Sequence, residues 1–252
     1  MLHELLEDVF SKQDASVRES LMLASLFPRF NMDLLEGLHE MLHPEQKTAF
    51  NGIKILLETL LEQSLFIFGL DEESTWYRFH HLVKEFLSSR LSKMYSREIR
   101  TNCLKYGSSF FAANDSIYLA LQLSIQIEDY TTAITLLNRE RYRLFDEQRF
   151  DTFRLWLSLF PEEVIERHPS LLLLRVLNAD LTKSNLRMEE DLEMTRRLLP
   201  PLKNASESIQ ALWGEYHSSF TSLLYVTQDM EGVLNHAAQG MKLTRHKSPY
   251  LH

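Results

Sequence analysis

Apolar positions in the first part of the chain recur at helical spacing. Leu2, Leu5, Leu6, Val9 and Phe10 fall on one stripe of a short amphipathic helix. The pattern repeats over 14–26, with Asp14 or Ser16 as N-cap candidates and Pro28 just beyond the end. Residues 31–42 predict a third helix, stopped by Pro44. Over 52–63 the apolar residues Ile53, Ile55, Leu56, Leu57, Leu60 and Leu61 are too many for a surface helix, which predicts a buried one. The period then changes. Aromatic and branched residues in SLFIFGL (64–70) and WYRFH (76–80) flank the polar turn DEEST and read as a β-hairpin. Three helices followed by a hairpin is the winged-helix order, and helical spacing returns over 81–94 through Leu82, Phe86, Leu87 and Leu91.

From Arg97 onward helix follows helix: 99–113, 116–127, 130–137, 150–159, 170–181 and 188–199. The breaks fall at Asn114-Asp115, Glu128-Asp129, Pro161, His168-Pro169, Lys183-Ser184-Asn185 and Pro200-Pro201, and such short connections predict antiparallel neighbours. Two further helices, 206–226 and 229–243, match a tetratricopeptide unit loosely, with Val233 and Gly240 at close-contact positions and Pro249 at the next break. Val233 stands where a small Ala is usual, and a single solenoid unit cannot bury its own faces, so further repeats are expected. The predicted fold is mainly α: a winged helix over 1–95, a helical arm over 96–200 and the start of a TPR-like repeat domain over 201–252.

Composition supports helices, since only 7 Gly and 7 Pro occur in 252 residues. The single Cys103 cannot form an internal disulfide, and no apolar run approaches the roughly 18–20 residues that span a bilayer. The acidic beginning MLHELLEDVF lacks the charge pattern of an export signal, so a cytoplasmic protein with no membrane contact is expected. A net charge of -8 argues against a wholly polyanion-binding surface. One basic run exists: Arg78, Lys84, Arg90, Lys93, Arg97, Arg100 and Lys105, against Glu85 and Glu98. It reads as a solvated helical face or, alternatively, as a phosphate-engaging winged helix.

The segment LFIFGLDEESTWYRFHHLVKEFLSSRL (65–91) resembles the winged helix of the MalT-like, LuxR-type ATP-dependent regulators of the STAND NTPase class. Upstream, LLEDVFSKQDASVRESLMLASLFPRFNMDLLEGL (5–38) resembles the family's first winged-helix helices. Downstream, Trp156, Leu157, Phe160, Pro161, Glu162, Pro169 and Leu172 carry its "WL..LP.E....P.L...R" helical pair. The resemblance implies an N-terminal P-loop NTPase module, a repeat sensor that receives a small-molecule inducer or regulatory protein, and DNA contact only through a C-terminal helix-turn-helix. No G-x-x-x-x-G-K-[ST] occurs in the chain, so no cofactor is expected here, and ATP or ADP belongs to the longer parent.

Within that resemblance His80 is the most informative residue. Phe79-His80-His81 falls where related nucleotide switches place a Met-His-Asp triplet whose His contacts the nucleotide β-phosphate, which implies a nucleotide-sensing role for His80 in the parent, with Arg78 and His81 as further hairpin contacts. The alternative is a His that packs or caps between strand and helix. His39-Glu40-Met41-Leu42-His43 is a literal H-E-x-x-H, the pattern of a zinc hydrolase, but Pro44 ends the helix at once and no third-ligand motif follows. It reads as a chance match, and no metal is expected. Trp156, Trp213, Tyr216, Phe220 and Tyr225 read as core, and Cys103 as a buried, inert thiol. The expectation is therefore a relay module without a catalytic centre; the rivals are a stand-alone helical scaffold for a peptide partner and, behind it, a zinc hydrolase.

Overall fold

The computed structural model describes residues 2–45, 55, 57, 66–71, 75–178 and 185–244. The chain divides into two compact units, Met1–Ile127 and Glu128–His252. The predicted buried helix over 52–63 lies outside the described residues except for Ile55 and Leu57, of which Leu57 is buried. The breaks at Lys183-Ser184 and Pro249 also lie outside them.

In the first unit α1 (Leu2–Ser11), α2 (Ala15–Ala24) and α3 (Met32–Leu42) precede the antiparallel strands β1 (Ile67–Gly69) and β2 (Tyr77–Phe79). Asp14 is the N-cap of α2, and Asn31 caps α3 by accepting from the Leu34 N–H. The hairpin register pairs Ile67 with Phe79 and Gly69 with Tyr77. Asp71 begins its turn: Oδ1 accepts from Thr75 N at 2.7 Å and Trp76 N at 3.3 Å, and with the Thr75 hydroxyl these bonds hold the carboxyl below its usual range. The strands are shorter than the apolar runs that predict them. A contact the pattern did not predict extends the sheet: Phe30 exchanges backbone hydrogen bonds with Tyr77 at 2.9 and 2.8 Å. Its ring packs between Tyr77 and Phe79, with centroids at 5.8 and 4.7 Å.

After the hairpin come α4 (His81–Met94), α5 (Arg97–Ala113) and α6 (Ile117–Gln126). Phe27, Phe30, Leu34, Leu38, Leu91 and Phe111 are fully buried and form the centre of the unit. The absence of a side chain at Gly107 lets α5 approach Phe27, whose ring a Cβ would overlap. A buried hydroxyl, Ser108 Oγ, joins α5 to α6 by bonding Ala120 O at 2.9 Å and Ser124 Oγ at 2.7 Å.

The second unit contains α7 (Tyr130–Asp146), α8 (Phe150–Leu157), the single turn α9 (Glu162–Ile165), α10 (Pro169–Leu177), α11 (Asn185–Leu198), α12 (Glu207–Val226) and α13 (Met230–Thr244). Its core packs Leu173, Val176, Met188, Leu192, Leu199, Tyr216 and Leu223. Arg175 binds Asp191 through two bonds of 2.8 and 2.6 Å and Glu162 at 2.7 Å, which ties α9, α10 and α11 together. The α12–α13 hairpin closes where Gly240 meets Ser218, since a Cβ there would stand 2.8 Å from Ser218 Oγ and 3.3 Å from its backbone nitrogen. The predicted architecture holds: a mainly helical chain with one β-hairpin among the described residues, running from a winged helix into helical hairpins of the TPR-like kind.

Candidate functional site

Strand β2 ends at Phe79, and the chain enters α4 through His80, whose φ and ψ of -60° and 143° belong to extended backbone. Two bonds hold this corner. His80 N donates to Phe66 O at 2.9 Å, and His80 Nδ1 accepts from Leu82 N at 3.4 Å, so the imidazole is the N-cap of α4. An Nδ1 that accepts fixes the neutral ring in the tautomer with its proton on Nε2. The ring is half-exposed and lies beside that of His81, centroids 4.3 Å apart and tilted by 36°. His81 and Arg78 are exposed, and the Arg78 guanidinium lies over the exposed Phe68 ring at 5.6 Å. The three residues singled out by sequence thus lie around one corner at the N-terminus of a 14-residue helix, with Phe68 touching both the Arg78 guanidinium and the His80 ring and His81 beside that ring. That set is suited to an anionic oxygen.

The basic run does not form one face. Lys84 reaches inward to Phe27 O at 3.1 Å, and burial lowers its pKa. Arg90 pairs with Glu7 and stacks over Phe86 at 4.4 Å and Phe10 at 5.3 Å. These two cations serve the fold and Arg100 is half-buried, which leaves Arg78, Lys93, Arg97 and Lys105 exposed and weakens a phosphate-tracking reading.

The H-E-x-x-H residues separate. His39 in the last turn of α3 and His43 at its C-cap have ring centroids 4.8 Å apart, but Glu40 is exposed and stands outside their cluster. A different carboxylate joins them: Glu19 of α2, 8% exposed, whose Oε1 lies 3.0 Å from His43 Nε2 and accepts from the Tyr95 hydroxyl. Sequence reading missed Glu19 because its partners lie on another helix. Burial, and then the His43 charge, lower the His39 pKa, which favours a neutral ring. Cys103 is buried with its thiol pushed up to about 11 by desolvation, as expected of an inert cysteine.

In the second unit, Trp156 and Tyr216 are buried and Trp213 and Phe220 pack against the core, while Tyr225 is exposed. Two histidines not singled out by sequence meet here: His217 Nδ1 and His236 Nδ1 are 3.0 Å apart, and burial, then His236, depresses His217 to about 4.

A winged helix with a helical extension is the class that this architecture defines, and the comparisons specify it. Residues 6–99 match the family model of the MalT winged helix domain. The chain is 27% identical over 172 residues to the HTH-type transcriptional regulator MalT of Vibrio parahaemolyticus, covering 68% of this chain and 18% of that protein. It is 24% identical over 166 residues to the serine/threonine-protein kinase PknK of Mycobacterium tuberculosis, covering 66% of this chain and 14% of the kinase. Its fold matches a STAND protein with a tetratricopeptide repeat sensor from Pyrococcus horikoshii at a TM-score of 0.57 and 15% identity, over 98% of this chain and 40% of that one. The family match is to the MalT winged helix domain and falls within the first unit, and the chain spans under a fifth of the length of these curated relatives. Among the described residues no helix is long and apolar enough to cross a membrane.

Proposed function

We propose that the chain is a relay within a longer, cytoplasmic, ATP-dependent transcriptional regulator. It couples the nucleotide state of an NTPase module to a helical repeat sensor, where an inducer or regulatory protein binds, and has no catalytic centre of its own. DNA contact then belongs to a helix-turn-helix outside it. The observation that carries this reading is the capped geometry of His80: the bond from Leu82 N occupies Nδ1 and leaves Nε2–H as the donor of a half-exposed ring at the N-terminus of α4. A phosphate oxygen of ADP is an acceptor of the right charge. Loss of that contact on nucleotide exchange would free the corner between hairpin and α4, a difference between two states of the kind a relay needs.

The test is ADP affinity of the complete gene product. His80→Asn keeps an N-cap for α4 but removes the imidazole donor, so affinity falls about tenfold, the scale of one charge-assisted hydrogen bond, while the melting temperature holds. Unchanged ADP affinity in a folded variant would sink the sensor role. A second reading, a scaffold for a peptide partner, draws on Tyr225, Leu234 and Met241, which are exposed on the last hairpin. It requires full regulatory behaviour to survive loss of nucleotide binding.

A further inference from the structure

The H-E-x-x-H stretch, set aside as a hydrolase signature, contributes two of its residues to a different constellation. Helix α3 carries His39 and its C-cap residue is His43, and α2 brings Glu19 against them, so that one donor atom from each residue lies within 4.8 Å of the other two. Glu19 and His39 are buried, and His43 is half-exposed on the solvent side. A buried carboxylate needs a compensating partner. The ion-pair partner of Glu19 among the described residues is a histidine, with Tyr95 donating to the same oxygen.

We propose that Glu19, His39 and His43 form a binding site for a divalent zinc-type ion that braces α2 against α3 inside the winged helix. Two imidazole nitrogens and one carboxylate are a borderline-soft donor set that suits Zn²⁺ and disfavours Mg²⁺ or Ca²⁺, which take oxygen. The Tyr95 hydroxyl supplies the outer-shell bond that orients the carboxylate. The half-exposed side at His43 gives the ion its route in and leaves a position for water. Glu40 is exposed and outside the cluster, so the general base of a zinc hydrolase is missing and the role is structural. Without the ion the same groups fall back on the 3.0 Å contact between His43 and Glu19.

The measurement is a Co²⁺ titration of the tag-free, metal-stripped chain, followed by its visible d–d absorption and by displacement with Zn²⁺. The site predicts one equivalent bound with the strong absorption of low coordination number, and a melting temperature that rises with added Zn²⁺. Glu19→Gln and His43→Gln, each checked for folding by circular dichroism, should weaken binding more than a hundredfold, and Tyr95→Phe about tenfold, the lower end of outer-shell effects. Glu40→Gln should bind as the unaltered chain does. Failure of the folded, unaltered chain to take up one equivalent overturns the proposal. So does binding that survives both His43→Gln and Glu19→Gln, or that Glu40→Gln removes.

Discussion

The charged residues that matter most to the second unit are those a pattern-based reading places at the surface. Arg141 and Glu215 are both buried and paired, and Tyr142 donates to Glu215 Oε1 at 2.7 Å. Burial raises the Glu215 pKa, opposed by the charge of Arg141 and the bond from Tyr142. Replacing Arg141 by Met strands the carboxyl and should cost about 3–5 kcal/mol in chemical denaturation, whereas adding Glu215→Leu to the same chain should recover most of it. The His217–His236 pair makes the unit acid-sensitive. Above the unfolded value of 6.5 both states leave His217 neutral; as pH falls toward about 4 the unfolded chain takes up a proton that the folded one refuses. Stability is therefore full above pH 6.5 and lost through that window, by at most ~3 kcal/mol. His217→Gln should flatten the dependence of the melting temperature between neutral pH and about pH 5.

At the scale of elements, loop closure relies on residues that are not glycine. Asp115, Glu128, Gln148, Asn204 and Gln228 all have φ between 53° and 62°, the left-handed turn that commonly follows a helix. Gln228 ends α12, where Asp229 N reaches back to Leu224 O at 3.0 Å. A side chain in this conformation is strained, so Gln228→Gly should raise stability by ~0.5–1 kcal/mol in thermal melts. The sequence reading found the long helices because their apolar stripes are strong, and it found the hairpin because the period changes at residue 64. It ended α7 at Leu137 because Asn138–Arg143 looks like solvated loop; the helix continues to Asp146 because Arg141 meets a buried acid from another helix. It missed α9, a single turn too short to show a period, and the pairing of Phe30 with Tyr77, which only tertiary contact brings about. The passage from strand to helix at His80 was legible because the period changes there. Glu19 was not, because the residues that give it meaning lie on α3 and after α4.

At the scale of the whole molecule, the proposed relay assigns a different part to each of the two units. The first contains a winged helix whose hairpin and following helix meet at His80; the second contains a TPR-like hairpin closed at Gly240. The proposed relay requires that the corner at His80 exist in two states. Hydrogen exchange of the complete protein, compared between its ADP and ATP forms, tests this most directly at the amides of His80 and Leu82, which donate to Phe66 O and His80 Nδ1. The account predicts that both amides are better protected with ADP bound and lose that protection with ATP, and that His80→Asn abolishes the difference. Equal exchange of these amides in the two nucleotide states would contradict it.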